Sequence, residues 1–367
     1  MTNWRFLLRV LAKALALFVA LNLLYAALDP LPALGKLSGY NWLFPGRPRY
    51  PFGETPRQSY NLSLYSVDAM MAAHEVSAAP RQGELRVFLV GDSSVWGTLL
   101  RPQETLAGQL NARGLACDDQ PVRAFNLGYP TISLTKDLML LAELRRYQPD
   151  LVIWLTTLEA APVARQLESP LAANNGARLH TLGAETGLAL DYPSAPGFWE
   201  RTIVAQRREL ADLARLQVYG VMWAATGIDQ DYPASYEPAA RDLEADPTFH
   251  GYQPPELPSD ALLLQAFDLG QRLLGNTPLL VVNEPMLISS GQNSDIRYNF
   301  FYPRWAYDRY RQTMQQQAQD AAWDYLDLWD LLPESEFTNS AIHLTPAGES
   351  ALAEQLAPEI LARLCQP

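Results

Sequence analysis

Five short apolar runs along the chain carry strand character: LRVFLV at 85–90, VRAFNL at 122–127, LVIWL at 151–155, PLLVV at 278–282 and WDYLDL at 323–328. Most are continuous rather than alternating, the pattern of strands covered on both faces. Helical spacing separates them. Between Ser133 and Tyr147 the leucines 134, 138, 141 and 144 share one face, and Thr345-Pro346 supplies an N-cap and a first-turn proline ahead of Leu352, Leu356 and Ile360. This alternation predicts an α/β fold built on a parallel sheet of about five strands with helices on both sides. Residues 160–277 separate the third and fourth strands and are expected as a helical insertion, a cap or lid. Within it, Ile203 to Asp229 is apolar enough to pack on the sheet or touch a membrane.

The N-terminus breaks the pattern. Residues 6–28 read FLLRVLAKALALFVALNLLYAAL, interrupted only by Arg9, Lys13 and Asn22, and a bilayer takes roughly 20 apolar residues to cross. The cations cluster at the start, so the positive-inside rule predicts a cytoplasmic N-terminus and an extracytoplasmic remainder. A removable signal peptide is the rival reading. Leu23, Leu24 and Tyr25 fill positions where a cleavage site wants small residues, so a retained anchor over 1–28 is expected. The proline-rich stretch 29–60, with its run FPGRPRYPFGE, has no apolar periodicity. It reads as an extended connector, with one globular domain over 61–367.

Composition narrows the function classes. The chain has 28 Lys+Arg against 40 Asp+Glu, for a net charge of −12, which argues against nucleic acid as a partner. Cys117 and Cys365 are the two cysteines, too few for a CxxC metal site or a disulfide framework. The four histidines show no ligand spacing, so no metal is expected. No Gly-rich phosphate or dinucleotide motif follows any strand, so no cofactor is expected either.

The chemistry concentrates where strands end. Gly91-Asp92-Ser93-Ser94-Val95-Trp96-Gly97 follows the first strand, and a tight turn there aims the Ser93 hydroxyl into the crevice at the carboxyl edge of the sheet. The turn also frees backbone N–H groups, that of Ser93 among them, to face a developing oxyanion. Asn126-Leu127-Gly128 follows the second strand, and Gly128 would let a backbone N–H approach substrate closely. His343 sits on the loop entering the last helix, at the same edge as Ser93, and is the leading candidate for its base. Glu159 and Glu284 follow the third and fourth strands; they are candidates for substrate hydroxyl binding or for orienting the histidine, or else surface carboxylates paired with Arg297 or Arg304. The aromatic segment 297–307 is either a platform for a sugar or acyl group or simple packing.

Taken together, Gly-Asp-Ser with Gly97, then Asn126-x-Gly128, then His343-Leu344-x-Pro346-x-Gly348, resemble the first, second and last blocks of the SGNH (GDSL) hydrolase superfamily, over roughly 84–364. The resemblance implies a three-layer, doubly wound, flavodoxin-like sheet, with Ser93 as acylated nucleophile, Ser93 and Gly128 as oxyanion donors and His343 as general base. Asp92, Asn126, Glu159, Glu284 and Arg297 are the candidate substrate contacts.

Two positions depart from the family pattern. Where it has Gly-x-Asn-Asp, this chain reads Thr156-Thr157-Leu158-Glu159, and Ser340 stands where an Asp would precede the histidine. The third catalytic member is therefore Asn339, a backbone carbonyl, or a remote acid among Asp330, Glu336, Glu159 and Glu284. An anchor with an outward-facing domain resembles the family members that work beside membrane-bound O-acyltransferases. The implied function is an esterase or O-acyltransferase acting on an acylated cell-envelope glycan or lipid, with a membrane acyltransferase as partner. The alternative is a catalytically weak scaffold that binds a glycan or such a partner.

Overall fold

The structure is a computed structural model that describes residues 4–44, 46–53 and 60–365. Six strands form one sheet: β1 (Leu85–Val90), β2 (Ala116–Cys117), β3 (Gln120–Asn126), β4 (Leu151–Thr156), β5 (Leu279–Asn283) and β6 (Asp324–Asp327), in the order β2-β3-β1-β4-β5-β6. All pairings are parallel except that of β2 with β3. The five expected runs are the five parallel strands. The sixth, β2, is a two-residue antiparallel edge too short for any periodicity to reveal.

The parallel strands bury side chains on both faces, which explains their unbroken apolar runs. Phe88, Val90, Trp154 and Val281 join one core; Val87, Leu89, Ile153 and Val282 join the other. The first is covered by helices Leu134–Leu144, Ala266–Leu274 and Arg304–Ala321, the second by Leu106–Ala112 and Pro346–Leu364. The fold is thus mixed α/β with a mostly parallel sheet. Chain direction across the sheet reverses between β1 and β4, and the crevice beyond that switch point is where open α/β sheets bind ligands.

Three expectations need correction. The stretch 29–60 is not an extended connector: residues 31–35 and 39–43 are short helices, and Arg47, Arg49 and Tyr50 are fully buried. Position 45 and residues 54–59 of that stretch lie outside the described residues. Arg49 sends Nε and Nη2 to the two oxygens of Asp229 (2.7 and 2.5 Å) while Nη1 donates to Gly97 O and Leu100 O (3.0 and 2.9 Å). A buried guanidinium needs this full set of partners, and the extra carbonyls explain why a proline-rich segment is held inside.

The insertion is not a separate lid. Leu179 and Leu182 of helix Gly176–Thr186, and Leu213 and Leu216 of helix Arg207–Thr226, enter the larger core, while Gln230 bonds the loop after Ser93 and Asp229 binds the Arg49 that holds it. Last, Cys117 and Cys365 are joined in a disulfide that ties the β2 edge to the end of the C-terminal helix, across 248 positions. Two cysteines with no motif between them carried no sign of this, because only the fold brings them to a Cα separation of 5.3 Å.

Closing so long a loop is worth about 5 kcal/mol in the chain-entropy description. We expect Cys117→Ser to lower unfolding stability in detergent by about 2–5 kcal/mol, with reductant reproducing the loss in the parent and adding nothing in the variant. Asp229→Ala, which leaves two buried guanidinium groups without a counter-charge, should cost about 3–5 kcal/mol of the same unfolding stability, read by urea titration.

Candidate active site

β1 ends at Val90, and the chain turns through Gly91-Asp92 into a single helical turn, Ser93–Trp96. Asp92 caps that turn, its Oδ1 accepting from the Ser94 N–H at 2.8 Å, and the turn closes at Gly97 with φ of +83°. A side chain at Gly97 would also strike Thr105 Cγ2, at 2.3 Å from its Cβ, so only glycine fits there. At Gly91 a Cβ would meet Val95 Cγ2 at 2.6 Å and Leu155 O at 2.9 Å. These constraints hold Ser93 at the first helical position, where its backbone N–H has no intrahelical acceptor.

The partner loop is equally constrained. Phe337 and Leu344 pair as an antiparallel bridge, and Thr338 N–H donates to His343 O at 2.8 Å. Leu287 N–H donates to Ala341 O at 2.7 Å, pinning the loop to the segment after β5. Within this small closed loop Asn339 and His343 face each other. His343 Nδ1 lies 2.9 Å from Asn339 Oδ1, and Nε2 lies 2.8 Å from Ser93 Oγ. An amide oxygen accepts only from a protonated Nδ1, which leaves Nε2 bare to accept the serine proton.

Loss of hydration alone pushes the half-buried His343 ring down to about 4, and no carboxylate offsets it. The ring is therefore a neutral base through the physiological range.

No protein-family model matches the chain, and no curated protein matches it. Several solved structures are similar to it. A carbohydrate acetylesterase family member from Sinorhizobium meliloti is 12% identical with a TM-score of 0.33, covering 77% of this chain and 100% of its own. An aryl esterase from M. smegmatis is 14% identical with a TM-score of 0.35, covering 76% and 100%. An acetyl-xylooligosaccharide esterase from Geobacillus is 13% identical with a TM-score of 0.33, covering 77% and 95%. Likeness at this level lends no weight to any residue's role, which rests on the distances above.

Of the candidates for third member, only Asn339 touches His343. Glu336 accepts from Thr345 Oγ1, Glu284 accepts from Ser94 Oγ, and Glu159 is bound by Arg165 and by His250 Nε2 at 2.9 Å. Glu159 thus pairs with neither Arg297 nor Arg304. Arg297 is no substrate contact: its guanidinium donates to the carbonyls of Asp246, Asn299 and Phe300 at 2.6, 3.2 and 2.9 Å, stapling a loop. Glu284 and Asp92 lie beside the nucleophile yet are buried and engaged within the protein. Burial, and next the Asp92 charge, push the Glu284 carboxyl well above the usual carboxylate range.

Asn126 donates to Trp96 O and accepts from Gly128 N–H, both at 3.2 Å, so it braces the turn instead of facing substrate. Gly128 packs directly beneath the turn, where a Cβ would lie 2.5 Å from Trp96 N. With its N–H turned to Asn126, the oxyanion donor best presented is the Ser93 N–H. Thr157, near where the family pattern has its asparagine, sends its hydroxyl to Tyr302 OH at 3.0 Å. Most of the aromatic segment packs inward: Tyr302 and Tyr307 are fully buried and Trp305 Nε1 donates to Pro247 O at 2.6 Å, while Phe300 is exposed.

Sequence reasoning missed the support beneath the turn. Lys136, fully buried in the first turn of a leucine-rich helix, donates to Gly91 O (2.7 Å) and Tyr129 O (3.1 Å) and pairs with Asp137 (2.7 Å). Burial raises Asp137 to about 6 despite that pairing. A lone lysine amid leucines was the available signal.

Two measurements check the geometry. The rate of serine modification in the parent should be half-maximal near pH 4, the pKa of the buried ring, and not near 6.5, since only the neutral form accepts the proton. Asn339→Ala should slow it at least about tenfold, yet less than the ~10⁴ lost on removing a charged orienter. Asn339→Asp, by placing negative charge on Nδ1, should move the midpoint to higher pH.

Proposed function

We propose that this protein is a membrane-anchored serine esterase or O-acyltransferase working outside the cytoplasm through a Ser93 acyl-enzyme, on an acylated cell-envelope glycan or lipid. The observation that carries the proposal is the continuous chain from Ser93 Oγ to His343 Nε2 (2.8 Å) and from Nδ1 to Asn339 (2.9 Å). His343 takes the serine proton as Oγ attacks the ester carbonyl, and the Ser93 N–H meets the oxyanion that forms. As the C–O bond breaks, the imidazolium returns that proton to the leaving alkoxide, which departs as the alcohol. Water or an acceptor hydroxyl, deprotonated in turn by His343, then attacks the acyl-serine and regenerates Oγ–H. Asn339 stabilises the imidazolium as a dipole and not as a charge, so the chemistry is expected to be slower than with a carboxylate.

Location follows from two features. Helix Trp4–Leu28 is long and apolar enough to cross a bilayer, with its basic residues Arg5, Arg9 and Lys13 at one end. The Cys117–Cys365 disulfide suits an oxidising compartment. Together they support an N-terminus inside and the body outside. A membrane O-acyltransferase as acyl donor belongs to this proposal. The neutral Asn339 favours a second reading, a weak or inactive scaffold that binds a glycan or such a partner.

A fluorophosphonate probe separates the two. The proposal expects stoichiometric labelling of the full chain in detergent, with the mass added on Ser93, and loss of labelling in both Ser93→Ala and His343→Ala. Absence of labelling in the parent, where a control esterase reacts, favours the scaffold.

A further inference from the structure

Asn22, the one uncharged polar residue in the apolar run, shows where the body meets the N-terminal helix. Its side chain is almost wholly buried: Nδ2 donates to Phe18 O at 2.9 Å and Oδ1 accepts from Val204 N–H at 3.2 Å. Ala26, one turn on, is fully buried, and Arg201 reaches Asp29 at 3.6 Å. The segment 197–206 therefore runs alongside the last turns of the helix and not above its end.

The helix sets the depth. At 1.5 Å per residue, Leu28 lies about 29 Å beyond Arg9, close to the ~30 Å of a hydrocarbon core. With Arg9 at the inner headgroups and Lys13 snorkelling to them, Asn22 sits ~9 Å inside the outer boundary. A segment bonded to Asn22 shares that depth, and a polar residue so placed is expected to face protein, as it does.

The segment suits such an environment. Its backbone donors are largely satisfied internally: Gly197 N–H by Glu200 Oε2 (2.7 Å), Glu200 and Arg201 by the carbonyls of Gly197 and Phe198 (3.1 and 3.2 Å), Gln206 by Thr202 O (2.9 Å), and Val204 by Asn22 itself. Backbone at membrane depth demands this. Its exposed large apolar side chains are Phe198, Trp199 and Val204, with Trp199 72% exposed; Ala205 and Glu200 are exposed beside them, the Glu200 carboxylate accepting from Gly197 N–H. Further exposed apolar side chains stand on helix Arg207–Thr226, at Val218 and Val221, and at Trp42 and Leu43 (74% and 77% exposed). The last two lie on the short helix that packs there through Gly39 N–H to Gln217 Oε1, 2.7 Å. Arg207 and Arg208, both exposed, flank the segment as lipid-phosphate partners. In water this patch would be an aggregation liability; beside a spanning helix it has the composition of an interfacial belt.

We infer that Phe198, Trp199 and Val204, held at the depth of Asn22, are immersed in the outer leaflet, so that the catalytic body rests on the bilayer by a second, monotopic contact. This rests on the membrane-anchor reading above. The body is then held in one orientation and draws its acyl substrates from the layer immediately outside the lipid.

The test uses the full chain in phosphatidylcholine–phosphatidylglycerol vesicles, with a bimane label on one new cysteine at a time; the native pair, being a disulfide, stays unlabelled. Labels go on Leu15→Cys in the anchor, Trp199→Cys in the segment and Gln319→Cys on the exposed face of helix Arg304–Ala321. Phe198→Cys replaces Trp199→Cys should that variant fail to fold. Nitroxide-bearing lipid is expected to quench positions 15 and 199 several-fold more than 319, with aqueous iodide showing the reverse. If 15 is quenched while 199 behaves like 319, the anchor stands and the second contact is wrong, as it would be were this surface covered by a protein partner absent from the vesicles. If 15 escapes lipid quenching, the anchor reading itself falls, and the inference with it.

Discussion

A single hydrogen bond between groups 250 positions apart, Ser93 Oγ to His343 Nε2, depends on one geometric constraint: in a parallel sheet, every strand delivers its following loop to the same edge. Ser93 leaves β1 and His343 lies beyond β6, at opposite halves of the sheet order, yet both loops rise from the carboxyl edge. Each is then locked separately. Glycines at 91 and 97 shape the Ser93 turn, and the Phe337–Leu344 bridge shapes the His343 loop. The two need only meet. Asn339 belongs to the same small loop as His343, so the group that sets the ring tautomer is local and cheap in chain entropy, and its neutrality keeps the ring easy to deprotonate.

Beneath that bond lies a layer of buried charge out of proportion to a purely structural core. Lys136 holds the carbonyls of Gly91 and Tyr129 from below, Asp137 balances it, and Trp154 Nε1 donates to Asp137 at 3.1 Å. Ser94, the neighbour of the nucleophile, donates to a Glu284 carboxyl that burial favours in its neutral form. Hydrophobic residues of similar volume would cost less desolvation, so such a network stabilises weakly while specifying one arrangement strongly. The benefit falls on the conformation of the Gly91–Ser94 turn.

The segment that leaves the N-terminal helix also reaches the site. Within a few tens of residues of Leu28, Arg49 stacks over Trp96 at 4.4 Å and holds the carbonyls of Gly97 and Leu100, while from the insertion Asp229 binds Arg49 and Gln230 bonds the same loop. The N-terminal segment, the insertion and the Ser93 turn are bonded to one another. A domain of this build is not a free body on a leash, and movement of the N-terminal segment would be felt at the serine.

The strands, the two capped helices and the positions of Ser93 and His343 were legible in the sequence because local rules decide them: apolar runs of strand length, a Thr-Pro helix start, and a glycine-bounded turn after a strand. Asn339 could be named only among several alternatives, since which polar group completes a histidine depends on how a closed loop folds back. Arg297, Glu284 and Asn126 read as candidate substrate contacts, and the aromatic segment as platform or packing, for a related reason: a polar or aromatic residue near a strand end serves ligand or scaffold equally well until its partners are known. The disulfide and the Arg49–Asp229 pair lay beyond reach altogether. Sequence by itself determines periodicity, caps and turns, whose causes lie within a few residues. Pairings across 180 to 250 positions are decided only when the sheet brings their ends together, because until then the chain offers every buried charge many partners and no distance to choose between them.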